Sequence, residues 1–167
     1  KELFDAVQKK MVVPPKSKPG TRQFDFTRLF KCGSCGSGIT AQEITRNFDS
    51  GTVIKYIYYH CTQFNDFDCK EPYIREEKIV EQLTELLKQV PIQEIETKPI
   101  LKPELDKVMV IKRALQEQNT DISSENDLIP LDFINYIFQE GTKEQKRELI
   151  GCLNTTIYLE KKQVIIK

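Results

Sequence analysis

The chain has 167 residues, enough for one hydrophobic core or two small ones, and its 25 basic residues are matched by 25 acidic ones with a single histidine. An even spread of charge would argue against a nucleic-acid partner, but the spread is uneven. Through Arg75 there are twelve Lys/Arg against eight Asp/Glu, and from Glu76 onward thirteen against seventeen. No run is long enough to span a membrane, no signal-peptide pattern opens the chain, and one histidine without a Gly-rich phosphate loop supplies no Ser/His/Asp or nucleotide-hydrolysing set.

In chain order, Lys1 to Val12 place Leu3, Phe4, Val7 and Met11 at helical spacing, as at the end of a preceding domain (residues 1–12). The chain opens without Met and in mid-pattern, as a fragment of something longer would. Residues 13–23 hold Pro14, Pro15 and Pro19, which remove backbone donors and enforce extended conformation. This is a basic, semi-extended linker whose Lys16, Lys18 and Arg22 suit a phosphate backbone or a minor groove as well as a plain solvated tether.

Residues 24–75 carry four of the five cysteines, Cys32, Cys35, Cys61 and Cys69, in a C-x2-C…C-x7-C arrangement. A two-residue spacer lets two thiolates from one tight turn meet one centre, and Gly33 and Gly36 give that turn its backbone freedom. A second pair closes a tetrahedral S4 site of the kind structural zinc occupies. Two disulfides, an iron site on the same sulfurs and a redox pair are the competing uses. An odd cysteine count in metal spacing suits a reducing cytoplasm. Between the pairs, Ile39–Ile44 and Val53–His60 have strand composition and flank the turn cluster Asn47 to Gly51. His60 adjoins Cys61 and therefore points to the other face of its strand. Asp66 and Asp68 read as solubilising loop residues. The expected unit is a zinc β-ribbon.

Residues 76–167 read as a helical segment closed by a hairpin. Ile79, Leu83, Leu86, Leu87 and Val90 stripe a helix from Glu76 to Val90. Pro91, Pro99 and Pro103 break the chain into a loop, and Pro103 to Asn119 predicts a second helix. Residues 119–126 read as polar loop. Leu131–Gln139 is a short apolar helix, Gly141 ends it, and Thr142 to Gln145 opens the next as a capping box, with Leu149, Ile150, Cys152 and Leu153 on its buried side. Cys152 reads as a small buried hydrophobe. Thr155–Leu159 and Gln163–Ile166 form a terminal hairpin around Glu160-Lys161-Lys162. The expected class is α+β: a small zinc β-ribbon, a few helices and a C-terminal β-hairpin. The apolar stripes need a partner surface but no ligand, so the helices are expected to persist as a cap without metal.

The run Phe26-x-x-Leu29-Phe30-x-Cys32-Gly33-x-Cys35-Gly36, then Tyr58-Tyr59-x-Cys61, then Cys69 followed by Tyr73-Ile74-Arg75-Glu76-Glu77, resembles the recombinase zinc-ribbon region of large serine recombinases. The flanks agree: Leu3 to Gln8 resembles the end of the preceding recombinase domain, and Thr142 to Ile150 that family's closing segment. The resemblance implies a zinc-dependent DNA-binding module for an attachment site in phage or mobile-element integration and excision, in a bacterial cytoplasm. It places the nucleophilic serine upstream, so this chain would not cut. It also implies double-stranded DNA, other recombinase subunits and a directionality factor as partners, and no membrane. The chain departs from the family between Pro91 and Pro130, where a long antiparallel coiled-coil arm is usual; the interval here is short, proline-broken and without sustained heptads, so the arm is shortened or missing.

On this reading Lys16, Lys18 and Arg22 hold phosphates. Arg28, Arg46, Lys55 and Lys70, with Gln42 or Gln63 as base readers, approach a major groove from one hairpin face. The competing class is a zinc-ribbon module that binds another protein, favoured by the acidic C-terminal half.

Overall fold

The computed structural model describes residues 24–49, 51–116 and 128–167. The helix expected over 1–12, the linker with Lys16, Lys18 and Arg22, and the loop expected at 119–126 lie outside the described residues. The elements are β1 (Phe30–Cys32), β2 (Ile39–Asn47), β3 (Val53–Cys61), β4 (Ile74–Arg75), α1 (Glu76–Leu87), α2 (Gln93–Glu96), α3 (Lys102–Gln116), α4 (Leu131–Glu140), α5 (Lys143–Gly151), β5 (Ile157–Glu160) and β6 (Gln163–Ile166). This is the α+β arrangement of ribbon, helices and terminal hairpin that the sequence implies.

Among the described residues, two three-stranded sheets are ordered β2-β3-β4 and β1-β5-β6. In the first, β2 and β3 form the hairpin, paired from Ile39↔Cys61 to Asn47↔Val53, and β4 adds Tyr58↔Arg75 and Tyr59↔Ile74. In the second, β1 pairs in parallel with β5 (Phe30↔Ile157, Cys32↔Leu159), and β5 turns back into β6. The first metal knuckle is thus hydrogen-bonded to the C-terminal hairpin. Gly33 N donates to Leu159 O at 2.8 Å, and a Cβ on Gly33 would lie 2.5 Å from Glu160 Cβ.

One core joins the ribbon to the helices. Phe26 places its ring 5.9 Å from Tyr59 of the ribbon, 6.3 Å from Phe30 of β1 and 6.1 Å, edge-on, from Phe138 of α4. Such pairs add about 0.5–1.5 kcal/mol each beyond the burial itself. Around them α1 buries Ile79, Leu83 and Leu87, α4 buries Phe133, Ile134 and Ile137, and α5 buries Leu149 and Ile150. The segment entering the ribbon is clamped by α5, where Lys146 Nζ meets Asp25 Oδ2 at 2.7 Å and Arg147 Nη1 donates to Thr27 O at 3.2 Å. The partner surface of the apolar stripes is therefore the metal ribbon itself, and not only the other helices.

Three local details differ from the sequence expectation. The first helix ends at Leu87, and its last turn closes through Lys88 N to Thr84 O. A four-residue helix, α2, occupies the proline-rich loop and buries Ile95; it is too short to leave a periodic signal. The last hairpin starts at Ile157. The capping box is present, with Thr142 Oγ1 accepting from Gln145 N at 3.2 Å and Gln145 Oε1 from Thr142 N at 2.8 Å. Cys152 is buried, its Sγ 3.4 Å from Glu148 O, and burial pushes its thiol up to about 11. Among the described residues no helix is long and apolar enough to cross a membrane.

Candidate metal centre and nucleic-acid interface

Cys32 ends β1, Cys35 sits in the turn behind it, Cys61 ends β3 and Cys69 closes the following loop. Their four sulfurs lie within 4.8 Å of one another, with Cys32 Sγ to Cys69 Sγ at 3.7 Å and Cys35 Sγ to Cys61 Sγ at 3.4 Å. Zinc–sulfur bonds of about 2.3 Å set tetrahedral edges of about 3.8 Å, so this set fits a structural S4 metal and none of the sulfurs is disulfide-bonded. The surrounding groups are arranged for thiolates. Gln63 N donates to Cys61 Sγ at 3.2 Å. Ser37 Oγ, buried, accepts from Asn65 N at 2.9 Å and lies 3.1 Å from Cys35 Sγ, where its own hydroxyl hydrogen is free to donate. That contact holds the Cys35 thiol down at about 7, whereas burial pushes Cys61 up to about 12. A bound dication would favour the thiolate on all four sulfurs.

The turn that presents Cys32 and Cys35 follows from local chemistry. Gly36 N donates to Cys32 O at 2.9 Å, and its φ of +72°, which glycine adopts freely, turns the chain out of the knuckle. His60 stays outside the cluster: its Nδ1 is 3.0 Å from Cys61 O and its ring stacks on Tyr73 at 4.6 Å.

The strand register sorts the hairpin residues by face, because residues directly opposite share a face and sequence neighbours do not. Ile39, Ala41, Glu43 and Thr45 share one face with Cys61, Tyr59, Ile57 and Lys55; Thr40, Gln42, Ile44 and Arg46 share the other with His60, Tyr58, Tyr56 and Ile54. Arg46 and Lys55 are both exposed but lie on opposite faces, so the expectation of a single face for both is corrected. Lys55 Nζ is 3.6 Å from Glu43 Oε1. Gln42 shares the face of Arg46. Arg28, exposed, lies in the turn before β1 with φ +65°, Lys70 is exposed beside Cys69, and Gln63 spends its side-chain amide on Cys69 O at 2.7 Å.

The face of Arg46 carries a group that was not singled out from sequence. The Arg75 guanidinium lies 4.4 Å over the Tyr56 ring and 5.6 Å from that of Tyr58, and Arg75 Nε donates to Tyr58 Oη at 3.1 Å. Tyr56 and Tyr58 are two apart on one strand and so visibly share a face in the sequence. Arg75 joins them only through the short β3–β4 pairing, which no local pattern announces.

The family comparison agrees with this centre. Residues 26–88 match the recombinase zinc beta ribbon domain. No curated protein matches the chain. A crystal structure described as a large serine recombinase (LSR)–DNA complex resembles it with a TM-score of 0.42 at 17% identity, over 100% of this chain and 65% of that one. The chain thus spans about 65% of that solved chain. The segment that carries the cysteines is thus similar to a recombinase zinc ribbon, as the resemblance in its motifs implies.

Proposed function

We infer that the chain is the DNA-binding C-terminal part of a site-specific serine recombinase, and that it recognises part of an attachment site during integration or excision. The observation that carries this reading is the Arg46 face of the hairpin, where Gln42, paired with Tyr58, and Arg46, paired with Ile54, share one face with Tyr56, and Arg75 is stacked on the rings of Tyr56 and Tyr58. Beyond the core, Ile44–Asn47 and Val53–Tyr56 project as a free two-stranded ribbon about 13 Å long, at about 3.4 Å per residue. A major groove admits such a ribbon, and its side chains point in fixed directions as base readout requires. Stacking holds the planar guanidinium in one orientation, ready for phosphate or guanine. Zinc, held by Cys32, Cys35, Cys61 and Cys69, fixes the base of the hairpin and takes no part in chemistry. On this reading residues 13–23, with Lys16, Lys18 and Arg22, form a tether along the DNA backbone, and residues 24–75 and 76–167 act as ribbon and cap. The serine nucleophile belongs to another segment of the parent protein in the cytoplasm of a bacterial host, where other subunits and a directionality factor complete the assembly. Titration of the zinc-loaded chain onto cognate half-site and scrambled duplexes at several salt concentrations tests it. Tighter binding to the half-site, with a negative salt slope, supports the reading; equal affinity for both duplexes, or none, ends it.

A second reading has its own observation. Phe64 and Phe67, in the loop between Cys61 and Cys69, are 82% and 86% exposed and flank Asp66. The loop backbone is stitched down by Asp68 N to Asp66 Oδ1 at 3.0 Å and Asn65 Nδ2 to Cys35 O at 3.1 Å. Exposed rings on a stitched loop suit an apolar pocket on a basic protein surface, and the carboxylates beside them repel phosphate. Replacing both rings with serine leaves DNA affinity unchanged on the first reading.

A further inference from the structure

We propose that Arg75, Lys78 and Lys162 form a seat for one DNA backbone phosphate, which makes the turn of the C-terminal hairpin a DNA contact. The inference rests on the DNA-binding reading above and deepens it. Three separate elements meet here: the end of β4, the first turn of α1 and the β5–β6 turn. They line an open groove together with Tyr58, Tyr73 and Gln82, at the foot of the hairpin face that carries Arg46.

The cations are gathered without acidic groups among the described residues of the lining. Arg75 spends Nε on Tyr58 Oη and rests on two rings, which leaves the four terminal N–H groups of its fork to donate elsewhere. Lys78 is shared with Glu81 at 2.7 Å, both exposed, a contact weak enough to yield to a phosphate. The carboxylates that reach the turn are already engaged: Glu71 takes Ser34 Oγ at 2.6 Å with one oxygen and Lys161 N with the other, and Glu160 Oε2 lies 3.8 Å from Lys167 Nζ.

The turn is held in place at a cost. Lys161 and Lys162 have φ of +50° and +64°, the left-handed region that a two-residue hairpin turn demands and that Asn-Gly fills most easily. A lysine pair there is strained, and strain of this kind clusters at functional positions. Gln82 of α1 fixes the turn against the groove, its Nε2 donating to Lys162 O at 3.1 Å and its Oε1 accepting from Val164 N at 2.8 Å. Lys162 is thereby brought to the groove that Arg75 lines, although 87 positions separate them in the sequence. A hairpin inserted in a groove must leave flanking phosphates at its foot, and phosphate contacts are what set register on a duplex.

The test is the salt dependence of binding to a half-site duplex and to a scrambled one. Lys162→Asn removes the charge while its new side chain tolerates the left-handed turn, so the fold is retained and the thermal midpoint stays level or rises. Losing one phosphate contact lowers the slope of log Kobs against log salt by about one on both duplexes. The same charge loss at exposed Lys102, at the start of α3, leaves the slope unchanged. An unchanged slope in Lys162→Asn, or an equal change in Lys102→Gln, overturns the seat while DNA binding by the parent chain stands. If the parent chain binds neither duplex, the reading beneath it falls and the seat with it.

Discussion

Tyr59 and Glu76 are joined by a 2.7 Å hydrogen bond in which the Tyr59 hydroxyl donates to Glu76 Oε2 and at the same time accepts from Phe26 N at 3.2 Å. One side chain therefore ties the ribbon, the entering segment and the first helix together. Removing the hydroxyl in Tyr59→Phe leaves a buried amide and a half-buried carboxylate without it, while the ring packing on Phe26 is kept. We expect a loss of about 1–3 kcal/mol of unfolding free energy in urea, the usual range for an orphaned buried polar group, with zinc content unchanged. A loss within experimental error would show that water replaces the hydroxyl.

The same pair gives a pH dependence with a defined sign. Burial raises the Glu76 carboxyl above its ordinary value, and burial followed by the hydrogen bond to Glu76 raises Tyr59. A carboxyl raised in the folded state binds more protons there than in the unfolded chain, so its contribution is fully present below the unfolded value and is lost as pH rises through the folded one. We expect the stability of the parent chain relative to Glu76→Gln to fall between about pH 4, near the unfolded carboxyl value, and neutrality. Taking the difference between the two proteins cancels the proton-linked release of zinc, which both share. A difference that stays flat, or grows with pH, would contradict the burial argument.

Gly33 carries a prediction about the joint between knuckle and terminal hairpin. A Cβ there falls 2.5 Å from Glu160 Cβ, next to the backbone hydrogen bond from Gly33 N to Leu159 O. Neither atom is the far end of a flexible chain, so the sheet must separate. Gly33→Ala is expected to cost roughly 1–3 kcal/mol, the usual penalty of overpacking. Gly38→Ala, where an added Cβ meets nothing within 4 Å, is the control.

What was legible in the sequence was whatever is encoded locally. Two cysteine pairs, two alternating strands around Asn47 to Gly51, an apolar stripe on α1 and the Thr142 capping box each declare themselves within a few residues. The relationships that bind the pieces were not legible, because they are pairings across long stretches of chain. Parallel pairing of Phe30 with Ile157, Arg75 over Tyr56 and Lys162 in one groove with Arg75 depend on where the core sends each element. The hairpin faces fall between these cases: alternation puts Arg46 and Gln42 on one side, but only the register shows that Lys55 takes the other.

Metal removal tests the parallel pairing. The sequence favours helices that outlast the zinc, whereas β1 ends in Cys32, is hydrogen-bonded to β5 and shares a core with α4 through Phe26. Chelation is therefore expected to deprotect amides of Ile157 to Ile166 together with those of the ribbon in hydrogen exchange, and to lower the helical melting midpoint. Exposure confined to residues 30–75 would instead restore the independent cap.

The contrast between Arg46 and Lys55 is the most direct test of which hairpin face meets DNA. Both are exposed cations on the free end of the same hairpin, nearly level with one another, since Lys55 pairs with Thr45 and Arg46 with Ile54. Any effect of net charge alone is equal for the two. Arg46 stands on the face with Gln42, Tyr56 and stacked Arg75, while Lys55 faces away and is 3.6 Å from Glu43. If Arg46 contacts a base edge, Arg46→Ala costs about 1–3 kcal/mol on the cognate half-site and much less on scrambled DNA. If it contacts only a phosphate, the loss is similar on both duplexes and the salt slope falls by about one. Lys55→Ala changes neither quantity in either case. A larger effect at Lys55 than at Arg46 would turn the hairpin over and remove Tyr56, Tyr58 and Arg75 from the interface.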